Sequence, residues 1–219
     1  MINTDFLNKL INETLPSTTK LVAVSKFKSI SEIKEVYNHG VRNFGESRPQ
    51  ELKEKMDLLP KDIIWHFIGH LQRNKIKMII DRVDLIHSVD SIKLLDEINK
   101  IALNRGVIKD VLLQPYIAQE DTKQGLEIEE LWSIINKKES YSGVRICGLM
   151  GMASNTDNIS IVESEFSNLK QLFDIAKERY FAQDNYFKEI SMGMSNDYQI
   201  GIKYGATLVR IGSLIFGDR

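Results

Sequence analysis

The chain has one cysteine, Cys147, among its 219 residues, so no intramolecular disulfide can staple it and stability must come from a buried core. It also has almost no net charge. The 29 Lys and Arg residues against 30 Asp and Glu leave −1, which gives no broad electrostatic attraction for a polyanion and disfavours nucleic acid as a partner. No run approaches the ~20 apolar residues of a membrane span, so no membrane association is expected. The opening "MINTDFLNKLINETL" carries Asp5 and Glu13 and has the pattern of an amphipathic helix, unlike a signal peptide with its basic start and apolar middle. A cytoplasmic location follows as the expectation. Linkers, low-complexity segments and short-period repeats are missing too, so residues 1–219 are expected to form one domain, with 1–19 as an N-terminal helical extension.

What is present is an ordinary globular composition, 42% hydrophobic and 27% charged, arranged in strict alternation. "KLVAVS" (20–25) is a β-branched run of strand length, and "SISEIKEVYNHG" (29–40) has helical spacing closed by glycine. The alternation continues with strands predicted at 41–44, 63–69, 84–89, 111–118, 144–150, 187–192 and 206–212. Helices are predicted at 48–59, 72–83, 91–106, 125–138, 159–183 and 196–204. Eight strand–helix units without a break in composition favour an α/β fold, a (β/α)8 TIM-type barrel. The open doubly wound alternative lacks its glycine fingerprint, because "AVSKFKS" follows the first strand.

In such barrels the chemistry sits just after the C-terminal ends of the strands. Lys26 ends the first strand, where desolvation lowers an amine's pKa and makes it nucleophilic. It is equally compatible with a solvated lysine paired with a carboxylate such as Glu46. After strands seven and eight come "SMGMSND" (191–197) and "RIGSLIFG" (210–217), the loops that frequently build a phosphate site. Gly193 and Gly212 allow close backbone approach, Ser195 can donate a hydroxyl and cap a helix starting near Asn196, and Ser213 is a second donor. Two plain turns would look the same. A lysine facing a phosphate cup suggests a phosphorylated carbonyl ligand, either pyridoxal 5'-phosphate (PLP) or a sugar phosphate. Arg210 would separate them if it points at a pyridine nitrogen, and is otherwise a buried arginine paired with a carboxylate.

The motifs "VAVSK" (22–26), "NFGES" (43–47), "WHFIGHLQRNK" (65–75), "GLMGMA" (148–153), "SMGMSND" (191–197) and "VRIGSLIFGDR" (209–219) together resemble the pyridoxal phosphate homeostasis proteins. These in turn resemble the N-terminal barrel of alanine racemase. The resemblance implies a fold-type III PLP barrel with Lys26 as the Schiff-base lysine. It implies a phosphate site from Ser195, Arg210, Gly212 and Ser213, and places Met152 near the ring. Ser47, where asparagine is usual, and Pro49, where an aliphatic residue is usual, depart from the pattern at the mouth.

The resemblance further implies PLP and amino-acid or keto-acid homeostasis, with transient contact to apo-PLP enzymes. In alanine racemase a tyrosine from the partner subunit's added β-domain serves the second face of the substrate. The chain ends two residues after "IFG", so robust racemisation is not expected and neither is that mode of dimerisation. A monomer is the expectation, with a weak racemase, a Schiff-base aldolase or a cofactor-free interaction module as alternatives. Lys75 and Lys123 recur in the family's motifs and would stand near the mouth as second-anion or transfer residues, or as plain surface lysines. His66 and His70, four apart across a strand break, do not suit zinc, and Cys147 is expected to be a small buried hydrophobe.

Overall fold

The computed structural model describes residues 2–15, 18–118 and 125–217. Its eight strands are β1 (Lys20–Val24), β2 (Asn43–Glu46), β3 (Ile64–Phe67), β4 (Leu85–Val89), β5 (Lys109–Leu113), β6 (Val144–Met150), β7 (Glu189–Ser191) and β8 (Leu208–Ile211). They pair in parallel, in chain order, into one closed barrel. The seam is closed by β1 against β8, with Lys20 opposite Leu208 and Ala23 opposite Ile211.

The helices are α1 (Thr4–Lys9), α2 (Ile30–Asn38), α3 (Pro49–Leu58), α4 (Ile76–Ile79), α5 (Ile92–Arg105), α6 (Ile128–Asn136), α7 (Ile159–Tyr180), α8 (Tyr198–Lys203) and α9 (Ser213–Phe216). Their boundaries follow local chemistry. Ser29 and Glu32 form a capping box at the start of α2, Pro49 occupies the first turn of α3, and Gly106 closes α5 at φ 65°. The N-terminal helix continues as a π-helical turn, Leu10–Thr14. It packs on the last two helices, where Asn3 N–H donates to the Ile215 carbonyl of α9 at 2.7 Å and Phe6 meets Tyr198 of α8 edge-on.

Several predicted elements shift. The helix expected over 72–83 is only a 3₁₀ turn, Arg73–Lys75, and the short α4, because Arg82 and Val83 already bond back to Ile79 as a turn. The fifth strand starts earlier, at Lys109, and stops before Pro115, which makes an isolated bridge to Leu126. Between β5 and β6 the register slips: Val111 faces Ile146 but Leu112 faces Gly148. That bulge requires glycine, since a Cβ at Gly148 would stand 1.8 Å from the Glu189 carbonyl oxygen.

The core has two layers. Between strands and helices lies a continuous apolar shell including Phe44, Phe67, Phe166 and Phe187. Inside the barrel Val22, Leu85, Leu112, Cys147, Met150 and Leu208 form a separate small cluster. Along β4 and β8 the period of two then carries His87 and Arg210 to the same inner face as Leu85 and Leu208.

Candidate functional site

A cleft of about 900 Å³ opens at the C-terminal ends of the strands, and Lys26, Met152, Ser195, Arg210, Gly212 and Ser213 all line it. The six come from the ends of four strands, and the fold places them around one space. Ser47 is on its wall. Lys75 lines a neighbouring cleft of about 720 Å³ with Phe27 and Arg48. Lys123 lies outside the described residues.

Lys26 is half-buried in the turn after β1, and both of its neighbours are pinned. Lys55 of α3 spends all three ammonium protons below it, on the Ser25 carbonyl at 2.7 Å, Glu46 Oε1 at 2.7 Å and Glu51 Oε1 at 2.6 Å. Ser25 Oγ also donates to Glu46 Oε1 at 2.6 Å, and Phe27 N–H donates to Glu51 Oε1 at 2.6 Å. Phe27 holds φ at 65°, a left-handed conformation uncommon for an aromatic residue. Glu46, the carboxylate offered as a partner for Lys26, is paired instead with Lys55 of α3. Burial holds the Glu46 carboxyl above its ordinary range despite Lys55, and its Oε2 has no hydrogen-bond partner among the described residues.

Arg210 is buried and is not paired with a carboxylate among the described residues. Its Nη1 donates to Ser191 Oγ at 2.5 Å and its Nη2 to the Gly151 carbonyl at 3.0 Å. Burial pushes the guanidinium down to about 10, so it stays charged at neutral pH. With two of its five N–H groups engaged in those bonds, others remain for a ligand in the cleft it lines.

The cleft also carries the hydroxyls of Ser195 and Ser213. Ser195 Oγ accepts from Gly212 N–H at 3.4 Å, which joins the loops after β7 and β8. Ser195 does not cap the following helix, as the sequence suggested. That helix starts at Tyr198, and it is Asp197 that folds back, accepting from Met194 N–H at 2.5 Å. Lys28 donates to the Phe216 and Gly217 carbonyls at 3.1 and 3.2 Å, tying the β1 loop to the end of α9. On the β6 side, Glu165 of α7 receives Ser154 N–H and Oγ–H, each at 2.7 Å, and so shapes the loop that follows Met152.

The remaining candidates fall outside the cleft. His66 is inside the barrel and His70 on the surface against Asp90, 2.9 Å away. Cys147 is buried, which pushes its thiol up to about 12 and leaves it inert. Among the described residues no His, Cys, Asp and Glu cluster could hold a metal, and no helix is long and apolar enough to cross a membrane. Sequence reasoning missed Lys55, Lys28, His87 and Ser191. The inward-facing period of β4 and the polar residue at the end of β7 were the available signals for the last two.

The donor set fits PLP. Hydroxyls at Ser195 and Ser213 suit a phosphate, Arg210 a ring nitrogen, Lys26 an aldehyde, and Met152 a flat apolar face.

Residues 7–219 match the family model described as alanine racemase, N-terminal domain. The chain is 39% identical over 201 residues to the pyridoxal phosphate homeostasis protein of Aquifex aeolicus, covering 91% of this chain and 87% of that one. PipY of Synechococcus elongatus, solved without PLP, superposes with a TM-score of 0.91 at 31% identity, covering 97% and 99% of the two chains. With PLP bound, PipY superposes at 0.87. Alanine racemase from Corynebacterium glutamicum shares the fold, with a TM-score of 0.75 at 13% identity, over 99% of this chain and 60% of that one.

Proposed function

The chain belongs to the alanine racemase N-terminal domain family and to that of the pyridoxal phosphate homeostasis proteins it is similar to, and on that premise we propose that it binds PLP reversibly through Lys26. We take the whole chain as one cofactor-binding domain. Its role is to hold, buffer and hand on the cofactor within vitamin B6 and amino-acid or keto-acid metabolism, without robust catalysis. The observation that carries this reading is the convergence of Lys26, Ser195, Arg210 and Ser213 on one cleft.

PLP supplies, when bound, an aldehyde that condenses with an amine to a Schiff base and releases water, a reversible step well suited to capture and release. The chain's own residues do the rest. The Lys55 cluster fixes residues 25 and 27 and so presents the Lys26 side chain at the mouth. Ser195, Ser213 and the Gly212 backbone would hold the phosphate, and Arg210 would face the ring nitrogen. A fixed cation there disfavours protonation of that nitrogen and weakens the ring as an electron sink, which supports storage over turnover.

The test is a visible spectrum of purified protein before and after borohydride, with peptide mapping. A yellow band that disappears on reduction and leaves a pyridoxyl group on Lys26 is expected. A protein that stays colourless and unlabelled with added PLP would overturn the reading and move a sugar-phosphate aldolase ahead of it. Exchange of the α-proton of any amino acid in deuterated water, at rates comparable with a dedicated racemase, would overturn the non-catalytic part alone.

A further inference from the structure

A single hydrogen-bonded chain crosses the inside of the barrel behind the cleft. It begins at Arg210 on β8, whose Nη1 donates to Ser191 Oγ of β7 at 2.5 Å. Ser191 Oγ lies 2.8 Å from His87 Nδ1 of β4, and His87 Nε2 lies 2.8 Å from His66 Nδ1 of β3. The chain ends where His66 Nε2 meets Asn43 Oδ1 of β2 at 3.1 Å. Arg210, Ser191, His87 and His66 are all buried, the two rings meeting edge to face at 5.0 Å.

The proton order of this chain follows from its first member. A guanidinium can only donate, so Ser191 Oγ accepts from it. The one hydrogen of Ser191 then has His87 Nδ1 as its acceptor. His87 must carry its own proton on Nε2 and donate to His66 Nδ1, and His66 in turn donates from Nε2 to the Asn43 carbonyl oxygen. The reverse order would leave the Ser191 hydrogen unused inside the barrel and set His66 Nε2 against an acceptor unless Asn43 turned over. Burial keeps both imidazoles neutral, helped by the nearby charges of Lys20 for His66 and Arg210 for His87.

We propose that His66, His87 and Ser191 are positioning residues that act through one proton-ordered chain to fix the plane of the Arg210 guanidinium at the cleft. Ser191 anchors Nη1 and the Gly151 carbonyl anchors Nη2. Two anchors on the two terminal nitrogens leave the guanidinium no rotation, so its remaining N–H groups keep one direction. The same order makes the chain a lock and not a relay. Neither imidazole can pass a proton to the cleft unless Arg210 first gives one up. The inference rests on the cofactor reading only for what Arg210 faces.

Two measurements test it. In the cofactor-free wild type, imidazole nitrogen NMR at pH 6 to 8 is expected to show His66 and His87 as neutral Nε2–H forms. An Nδ1–H form at His87 would overturn the chain's order, whatever the cofactor does. In PLP-loaded protein, Ser191→Ala is expected to shift the bound cofactor's absorption band and to raise its dissociation constant about tenfold, the loss of roughly one hydrogen bond. Ser191→Thr, which keeps the hydroxyl, is expected to restore both, with borohydride labelling of Lys26 in all three proteins. Wild-type band and affinity in Ser191→Ala would overturn the positioning role. Absence of any label in the wild type would instead sink the cofactor reading, and the NMR result would still decide the chain.

Discussion

The cluster around Lys55 and the chain behind Arg210 are both buried polar networks one layer beneath the same cleft, yet they are made of opposite materials. Around Lys55, two carboxylates and an ammonium crowd within one β-strand and one helix. Behind Arg210, five side chains from five strands form a line in which only the first member is charged. The ionic cluster is local and holds a backbone turn. The neutral line is long and holds a side chain. A turn with an unusual φ at Phe27 needs strong, short bonds from several sides, whereas a guanidinium needs directional acceptors that do not neutralise it.

The difference can be broken most severely at Lys55. Lys55→Met strands the Glu46 carboxylate at a fully buried position, and a loss of about 3–5 kcal/mol in urea unfolding at pH 7 is expected. Glu46 already titrates above its ordinary value, so the folded state binds its proton more readily than the unfolded state. Removing the ammonium strengthens that bias, and the loss should shrink as pH falls towards the unfolded carboxylate's ordinary value. The double variant Lys55→Met, Glu46→Gln should recover most of it. An unchanged midpoint in the single variant would show that the cluster holds nothing.

Acid separates the networks next. His66 is pushed down to about 3 and His87 is lowered as well, both by burial first. Below the ordinary imidazole pKa of ~6.5 the unfolded chain takes up protons that the folded chain refuses, so stability falls with pH in the window from 6.5 towards 3. Between pH 7 and 5 the expected loss from His66 is about 2 kcal/mol, and His87 acts in the same direction. Replacing both rings should flatten that part of the pH profile, and a profile as steep as the wild type's would contradict it. The smallest effect is expected at the line's far end. Asn43 is half-buried, so in Asn43→Ala water can replace the lost acceptor, and the change should be about 1 kcal/mol or less.

Much of this was legible beforehand because it rests on local chemistry. Ser29 with Glu32, Pro49, Ser91 and Gly106 mark helix ends through bonds made within a few residues, and the observed helices begin and end there. Lys26, Met152, Ser195, Arg210, Gly212 and Ser213 were legible from strand ends and motifs, and they share one cleft. The loops were harder. Ser195 was a reasonable cap on its spacing, but the helix starts later, at Tyr198, and Asp197 at the cap position turns its carboxylate back to Met194 N–H without capping the helix. The pairings within the two polar networks were not legible, even where single members left a signal, since Lys55 meets Ser25 across 30 residues and His87 meets Ser191 across 104. Such pairs are set by barrel closure, which no local pattern contains.

The seam has a consequence for how the molecule comes into being. β1 borders β2 on one side and β8 on the other, and Asn3 bonds to Ile215, so β1 completes its pairing only when β8 is in place. Lys26 stands on one side of that seam and Arg210, Gly212 and Ser213 on the other. A chain made only as far as residue 190 has Lys26 but none of Ser195, Arg210, Gly212 and Ser213, which line the cleft with it. The cleft is therefore complete only once β8 closes on β1, a contact of high sequence separation.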